Sequence, residues 1–136
     1  MAVSESLTTP TPMVAEGGDH VVKIVNLPAG ASGITDGIDL RRARLCRIVL
    51  PYTGGSGWVA ANITFQTSYD GVNWANLHDA LGSEYTVIVG AITADRSVII
   101  PFADFVGVRY LKIRSGTAAA PVNQTNAPNI VLVCIR

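Results

Sequence analysis

Alternating apolar and polar positions predict a β-hairpin near the middle of the chain. Ile63, Phe65 and Tyr69 fall on one side of an extended strand. The other side is polar and consists of Asn62, Thr64, Gln66 and Ser68. This two-residue period is the pattern of a strand with one buried face. Asp70-Gly71 follows and favours a hairpin turn, because glycine accepts positive φ without steric cost. We therefore expect the chain to return through Trp74, with its ring beside Tyr69.

Short apolar runs predict the other strands. They are His20–Leu27, Leu45–Leu50, Glu84–Gly90, Arg96–Ile100, Gly107–Arg114 and Asn129–Arg136. The runs 84–90 and 96–100 are expected to form a second hairpin, and Pro101–Val106 a short helical turn. The run 129–136 is apolar at nearly every position, so we expect both faces to be covered, in a central strand or against another subunit. About eight short strands with little helical periodicity predict an all-β fold, an antiparallel β-sandwich or jelly roll.

Length and composition indicate one domain preceded by an arm. The chain has 136 residues, and its hydrophobic content of 49% is enough to form a core. Residues 1–19 are polar and contain prolines, which predicts an extended N-terminal arm before a single domain over residues 20–136. Charged residues make up only 15% of the chain. This low fraction favours a surface that a partner covers in part.

Charge argues against polyanionic partners overall but leaves one cationic cluster. The net charge is zero, so we expect neither nucleic acid nor a membrane as a partner. Four of the ten cations fall within seven positions: Arg41, Arg42, Arg44 and Arg47. They favour a solvated strand end whose arginines pair with Asp36 and Asp39. The alternative is an anion-binding patch, for an acidic protein surface or for nucleic acid. No aromatic residues are interleaved for base stacking, which weakens the nucleic-acid interpretation.

No pattern in the sequence indicates catalysis, a cofactor or a metal. His78-Asp79 resembles two members of a triad, but no nucleophile elbow accompanies it, so a structural loop histidine is expected. The glycine-rich stretch 52–58 lacks the lysine of a phosphate-binding loop. Cys46 and Cys134 lie far apart in apolar runs, which favours two buried thiols. The start of the chain has no secretory pattern, so we expect synthesis in a cytosol.

Two segments resemble those of known families. Phe65–Asp79 and Val106–Gln124 resemble segments of small structural proteins from tailed bacteriophages. They are also similar to discoidin-like jelly rolls, which share the patterns S-x-D-G-x-x-W, here Ser68–Trp74, and R-Y-[LI]-[KR]-[IVL], here Arg109–Ile113. The likeness spans roughly residues 45–136. The chain lacks the signal peptide and the cysteine pair of secreted discoidin domains, which favours the phage resemblance.

The phage resemblance implies a capsid decoration, or cement, protein. Such a protein is a non-enzymatic virion component, made in the host cytoplasm, that binds the outer surface of the head and stabilises contacts between major capsid protein subunits. It implies a homo-oligomer, with a dimer favoured over a trimer. The arm and the arginines at 41, 42, 44 and 47 would contact the capsid, and the sheet near residues 129–136 would contact a second copy. The alternative is a carbohydrate- or receptor-binding module of a phage tail or head fibre. Its glycan contacts would be Tyr52, Trp58 and Trp74.

Overall fold

The computed structural model of the chain describes residues 20–29, 33–52, 62–90, 92–124 and 127–136. They form two antiparallel sheets and almost no helix, which confirms the predicted all-β sandwich. The strands are β1 (His20–Asn26), β2 (Ile38–Asp39), β3 (Arg44–Leu50), β4 (Asn62–Ser68), β5 (Trp74–Asn76), β6 (Val87–Ile88), β7 (Arg96–Ile99), β8 (Tyr110–Ser115) and β9 (Asn129–Ile135). A 3₁₀ turn, Phe102–Phe105, confirms the predicted helical turn before β8. The predicted arm, residues 1–19, lies outside the described residues.

Both sheets combine strands that are distant in sequence. The first sheet has the order β1-β9-β3-β7, and the second has the order β2-β8-β4-β5, with β6 also paired to β4. The pairs are nested, with β1 against β9, β2 against β8, and β3 against β7. This nesting results when a long antiparallel ribbon is rolled so that its strands alternate between two sheets. It is the strand order of a jelly roll.

The hydrophobic core lies between the inner faces of the two sheets. Ile63 and Phe65 of β4 face Ile48 and Leu132 of the first sheet, and all four are fully buried. Phe105 of the 3₁₀ turn packs edge-on against the Phe65 ring, with 5.2 Å between centroids. Because side chains alternate along a strand, every second residue points toward this core. Each such apolar side chain contributes roughly 1.5–3 kcal/mol on burial.

The β4–β5 hairpin confirms the predicted return of the chain, although its loop is longer than a two-residue turn. Residues 69–73 form the loop. The Asp70 carboxylate accepts the backbone N–H groups of Val72 and Asn73, each at 2.8 Å. These hydrogen bonds, led by that from Asn73, hold the pKa of Asp70 well below its usual range. The carboxylate therefore organises the whole loop, which a simple Asp-Gly turn would not require.

Tyr69 belongs to this loop and not to the strand. β4 ends at Ser68, and the Tyr69 side chain is 85% exposed. The prediction that Tyr69 lies on the buried face beside Trp74 is therefore wrong. Trp74 lies on the outer face of the second sheet, where its ring centroid is 4.5 Å from Nζ of Lys112. The edge of the ring also approaches Gly37, so closely that a Cβ at that position would be 2.9 Å from it.

The second predicted hairpin does not form. β6 pairs with β4 in the second sheet, whereas β7 pairs with β3 in the first. The chain crosses from one sheet to the other between these strands, and Val89, directly after β6, and Ile100, directly after β7, are both buried. The turn residues between 90 and 96 thus mark a change of direction. The buried apolar side chains on each side determine which sheet each strand joins.

β9 is a central strand that the described chain covers on one face. It lies between β1 and β3, as its apolar sequence predicted. Its inward residues Ile130, Leu132 and Cys134 are fully buried. Its outward residues Val131 and Val133 are only half-buried. The expectation that both faces are covered is met on the inner side alone within the described residues.

Candidate interaction surfaces

The four clustered arginines divide into two pairs. Arg44 and Arg47 both lie on the outer face of the first sheet, opposite outward residues of β9. A spacing of three would ordinarily place them on opposite faces. A β-bulge between Leu45 and Arg47 inserts one extra residue and resets the alternation. Arg41 and Arg42 precede β3 in a turn, so the four side chains do not form one patch.

Asp39 holds the turn that carries Arg41. Its Oδ1 accepts the Arg41 backbone N–H at 2.9 Å, and its two carboxylate oxygens accept hydrogen bonds from the Arg109 guanidinium at 2.9 and 3.2 Å. The Arg109 hydrogen bond is the main reason that the pKa of Asp39 lies below its usual value. The side chain that pairs with Asp39 is therefore Arg109, from outside the predicted cluster.

Two grooves follow the open edge of the sandwich, where β1 and β2 end their sheets. The first, of about 440 Å³, lies between β1 and the turn at 41–42. The second, of about 430 Å³, lies between β1 and β2. Lys23 lines both. The cations of the first groove are Lys23, Arg41, Arg42 and Arg136. The structure thus places Arg41 and Arg42 of the predicted cluster in this groove. It also places Lys23 and Arg136 there, which the sequence pattern did not indicate.

The outer face of the first sheet is largely apolar. One row across all four strands consists of Val22, Val133, Arg47 and Ile99. The next row begins with Ile24, paired to an outward valine of β9. Val22, Ile24 and Ile99 are 52%, 70% and 67% exposed. We call this surface, over β1, β9, β3 and β7, the apolar face.

The outer face of the second sheet carries a hydrogen-bonded polar network around Arg114. The guanidinium donates to Asn76 Oδ1 at 2.9 Å and to Thr64 Oγ1 and Glu84 Oε2 at 3.3 Å each. Glu84 also accepts the backbone N–H of Ala118. The side chains of Arg114 and Glu84 are only 8% and 21% exposed. We call this surface the polar face. The chain's own loops cover one end of it.

The aromatic residues proposed for glycan contact do not come together. Tyr52 follows β3 of the first sheet, and its backbone N–H donates to Asp95 Oδ1. Trp74 lies in β5 of the second sheet. Trp58 lies outside the described residues. A shared aromatic platform is therefore not formed by Tyr52 and Trp74, and the carbohydrate-binding alternative stays a prediction that rests on Trp74 and its neighbours.

His78 and Asp79 do not act as a hydrogen-bonded pair. The His78 ring lies 3.1 Å from the carbonyl oxygen of Asn76. The Asp79 carboxylate accepts the backbone N–H groups of Leu81 and Ser83 at 2.9 and 3.0 Å. Each side chain thus has a local structural role in the loop after β5, as the sequence predicted for the histidine.

The two cysteines are free thiols at different depths. Cys134 is fully buried in the core, and burial, with a smaller contribution from Cys46, raises the pKa of its thiol to about 11. Cys46, at the bulge of β3, is half-buried and donates a hydrogen bond to the carbonyl oxygen of Val133 at 3.2 Å. Over the described ranges, no cluster of three or more His, Cys, Asp or Glu side chains could hold a metal ion. No helix in that part of the chain is long and apolar enough to cross a membrane.

Comparisons with known proteins add no relative. No protein-family model matches the chain, and no curated protein matches it. The surfaces described above are therefore what the proposed function is argued from.

Proposed function

We propose that this protein is a non-enzymatic structural protein that acts by binding protein surfaces, and specifically that it is a decoration protein of a phage capsid. The observation that carries the proposal is the apolar face. Its exposed residues include Val22, Ile24 and Ile99. The largest contiguous apolar patch on a soluble monomer is often a functional site.

The size of the apolar face supports a binding role. Four strands at about 4.8 Å spacing, three of seven residues and one of four, give a projected area of roughly 400 Å². A stable protein interface takes about 800 Å² from each partner. The apolar face can thus supply about half of one standard interface, and neighbouring edges and loops must supply the rest.

Capsid decoration suits a protein with such surfaces, because it requires contacts and rigidity but no reaction. Many modest interfaces repeated over a lattice together resist the strain on a shell. In this proposal the protein is made in the bacterial cytoplasm and binds the outer surface of the head. Its partners are the major capsid protein and a second copy of itself. The resemblance of residues 45–136 to phage structural proteins supports this assignment over other assemblies.

Co-sedimentation with expanded capsids that lack the protein tests the proposal. The full chain should pellet saturably at a fixed ratio to the major capsid subunit. The double variant Ile24→Lys/Ile99→Lys should lower occupancy at least tenfold, because each lysine would have to be desolvated in the interface. Its melting temperature should stay close to that of the unchanged protein, since both positions are exposed.

A matched control separates loss of the apolar face from a general effect of added charge. Val72→Lys/Leu81→Lys introduces the same two charges at loop positions that are 76% and 93% exposed. Occupancy of this control should equal that of the unchanged protein. No binding by the unchanged protein, or equal occupancy of both double variants, would contradict the proposed role of the apolar face in capsid decoration.

A further inference from the structure

Among the described residues, the edge strand β1 has backbone groups without a strand partner beside a groove. Over the described ranges, β1 pairs with β9 on one side only, and β2 pairs with β8 on one side only. The seven residues of β1 therefore present a free edge along the grooves that separate β1 from β2 and from the turn at 41–42. An edge of this kind can accept an added strand from another chain.

The charges along this edge are unequally distributed. The described residues lining the groove near the turn include four cations, Lys23, Arg41, Arg42 and Arg136, and no carboxylate side chain. At the other end of the edge, the lining includes Asp36 and Asp39. In a chain whose net charge is zero, this separation produces a local positive potential at one end of the groove only.

Lys23 restricts which strand can be added. It occupies an inward position of β1, opposite Leu132 in the register of the first sheet. An inward-pointing charge on an edge strand opposes pairing with an apolar strand, because the charge would be buried without a partner. A strand with a carboxylate near Lys23 would instead pair with it. The edge therefore discriminates in favour of an acidic segment.

Arg41 is held in a conformation that is costly for its residue type. Its φ is +55°, in the left-handed region that glycine tolerates best. The hydrogen bond from its backbone N–H to Asp39 fixes the turn in this geometry. Strained non-glycine residues that persist in a fold tend to occur at binding sites. An arginine here is consistent with a side chain that is needed at the groove.

We propose that this edge, the acidic-peptide groove, binds an extended acidic segment of a protein partner. The segment lies beside β1, with its carboxylates toward Lys23, Arg41 and Arg42 and a neutral or basic end toward Asp36. The inference rests on the proposed function in that it takes the protein to act by binding another protein. A nucleic acid fits less well, since its evenly spaced phosphates would also meet the two aspartates.

Fluorescence anisotropy with the full chain tests the inference. The probe is a labelled octapeptide in which glutamate alternates with threonine over the first four residues and the last four are neutral, and the matched probe has glutamine in place of glutamate. The glutamate peptide should bind saturably, and the glutamine peptide roughly tenfold more weakly or not at all, because the charge-assisted hydrogen bonds are lost. Affinity should also fall as salt is raised.

Three variants show whether the groove is the site. Arg41→Gln/Arg42→Gln should weaken the glutamate peptide about tenfold, whereas Arg44→Gln/Arg47→Gln removes the same charge from the apolar face and should leave affinity within about twofold. Arg41→Gly should also weaken binding, while its melting temperature stays unchanged or rises because the backbone strain is relieved. Together these results would separate a lost contact from a lost fold.

Several outcomes would overturn the inference. Equal binding of the two peptides would exclude recognition of carboxylates, and equal effects of the two arginine pairs would exclude the groove as the site. Tighter binding of a single-stranded oligonucleotide would make it a polyanion site. Tighter peptide binding by Glu5→Gln/Glu16→Gln would assign the groove to the chain's own N-terminal residues. Capsid co-sedimentation with no peptide binding would reject the groove alone, and peptide binding without co-sedimentation would reject the capsid role alone.

Discussion

The two outer faces of the sandwich differ in whether the chain itself provides partners for their side chains. On the polar face, Arg114 and Glu84 are largely removed from water, and neighbouring side chains supply their hydrogen bonds. On the apolar face, Ile24 and Ile99 remain mostly exposed. The polar face therefore completes itself within one chain, whereas the apolar face has lower free energy when another surface covers it. The outer side of one sheet is thus stabilised by the chain's own side chains, whereas the outer side of the other leaves apolar side chains in water, and we propose that a partner covers them.

The largest effect should come from breaking the polar network. Arg114→Met should destabilise the fold by about 3 kcal/mol, because Glu84 and Asn76 lose the guanidinium while still partly buried. Chemical denaturation of the unchanged protein and the variant measures this difference. Arg114→Met/Glu84→Leu should recover part of the loss, since it removes the unpaired charge as well. A loss below about 1 kcal/mol for the single variant would show that the network contributes little.

A smaller effect should follow from removing the cation that lies over the Trp74 ring. Lys112→Met keeps the aliphatic contact but loses the cation–π interaction, which contributes about 0.5–1 kcal/mol at partly exposed sites. Denaturation would give the loss. The fluorescence of Trp74, measured in a Trp58→Phe background, should also change because the charge near the ring is gone. Unchanged fluorescence and stability would show that the Lys112 charge does not interact with the Trp74 ring and lies near it only because of its position on β8.

The smallest effect should be a loss of stability at low pH that originates at Asp70, in the loop between β4 and β5. The folded pKa of Asp70 is depressed by hydrogen bonds to the loop that joins β4 and β5. A group with a depressed folded pKa adds stability above its unfolded pKa, near 3.9, and this stability is lost as the pH falls further. The melting temperature should therefore be flat near neutrality and fall below about pH 4. Asp70→Asn should show a shallower fall, and identical acid profiles would contradict this origin.

The sequence was sufficient for the fold class because the core-facing alternation is local. Ile63 and Phe65 lie where the two-residue period predicts, and so do Leu111 and Ile113 of β8. Pairing was harder to predict. The runs around Val87 and Val98 are adjacent in sequence, yet each strand is more stable when it pairs in a different sheet. Tyr69 was misplaced because the hydrogen bonds of Asp70 end the strand one residue earlier.

The candidate sites could be predicted only in part, because they depend on contacts distant in sequence. The cationic cluster was visible in the sequence, but the bulge in β3 sends Arg44 and Arg47 to one face and leaves Arg41 and Arg42 at the groove. Lys23 joins the groove only because β1 ends the first sheet. The exposure of Ile24 depends on which side of the sheet faces solvent, which a period of two does not reveal. The sequence signal for this exposed surface was the alternation in β1, which places Val22 and Ile24 on the same side of the strand.

The nested pairing of strands has a consequence for how the protein reaches its native state. Asn26 of β1 and Asn129 of β9 are hydrogen-bonded neighbours although 103 positions separate them. Most contacts of this fold must therefore wait for the closure of long loops, and folds of this kind are slow to form. During synthesis on the ribosome, β1 emerges early and has no partner until β9 follows. Its apolar side chains are then exposed to other chains, and the charge of Lys23 among them opposes pairing with apolar strands.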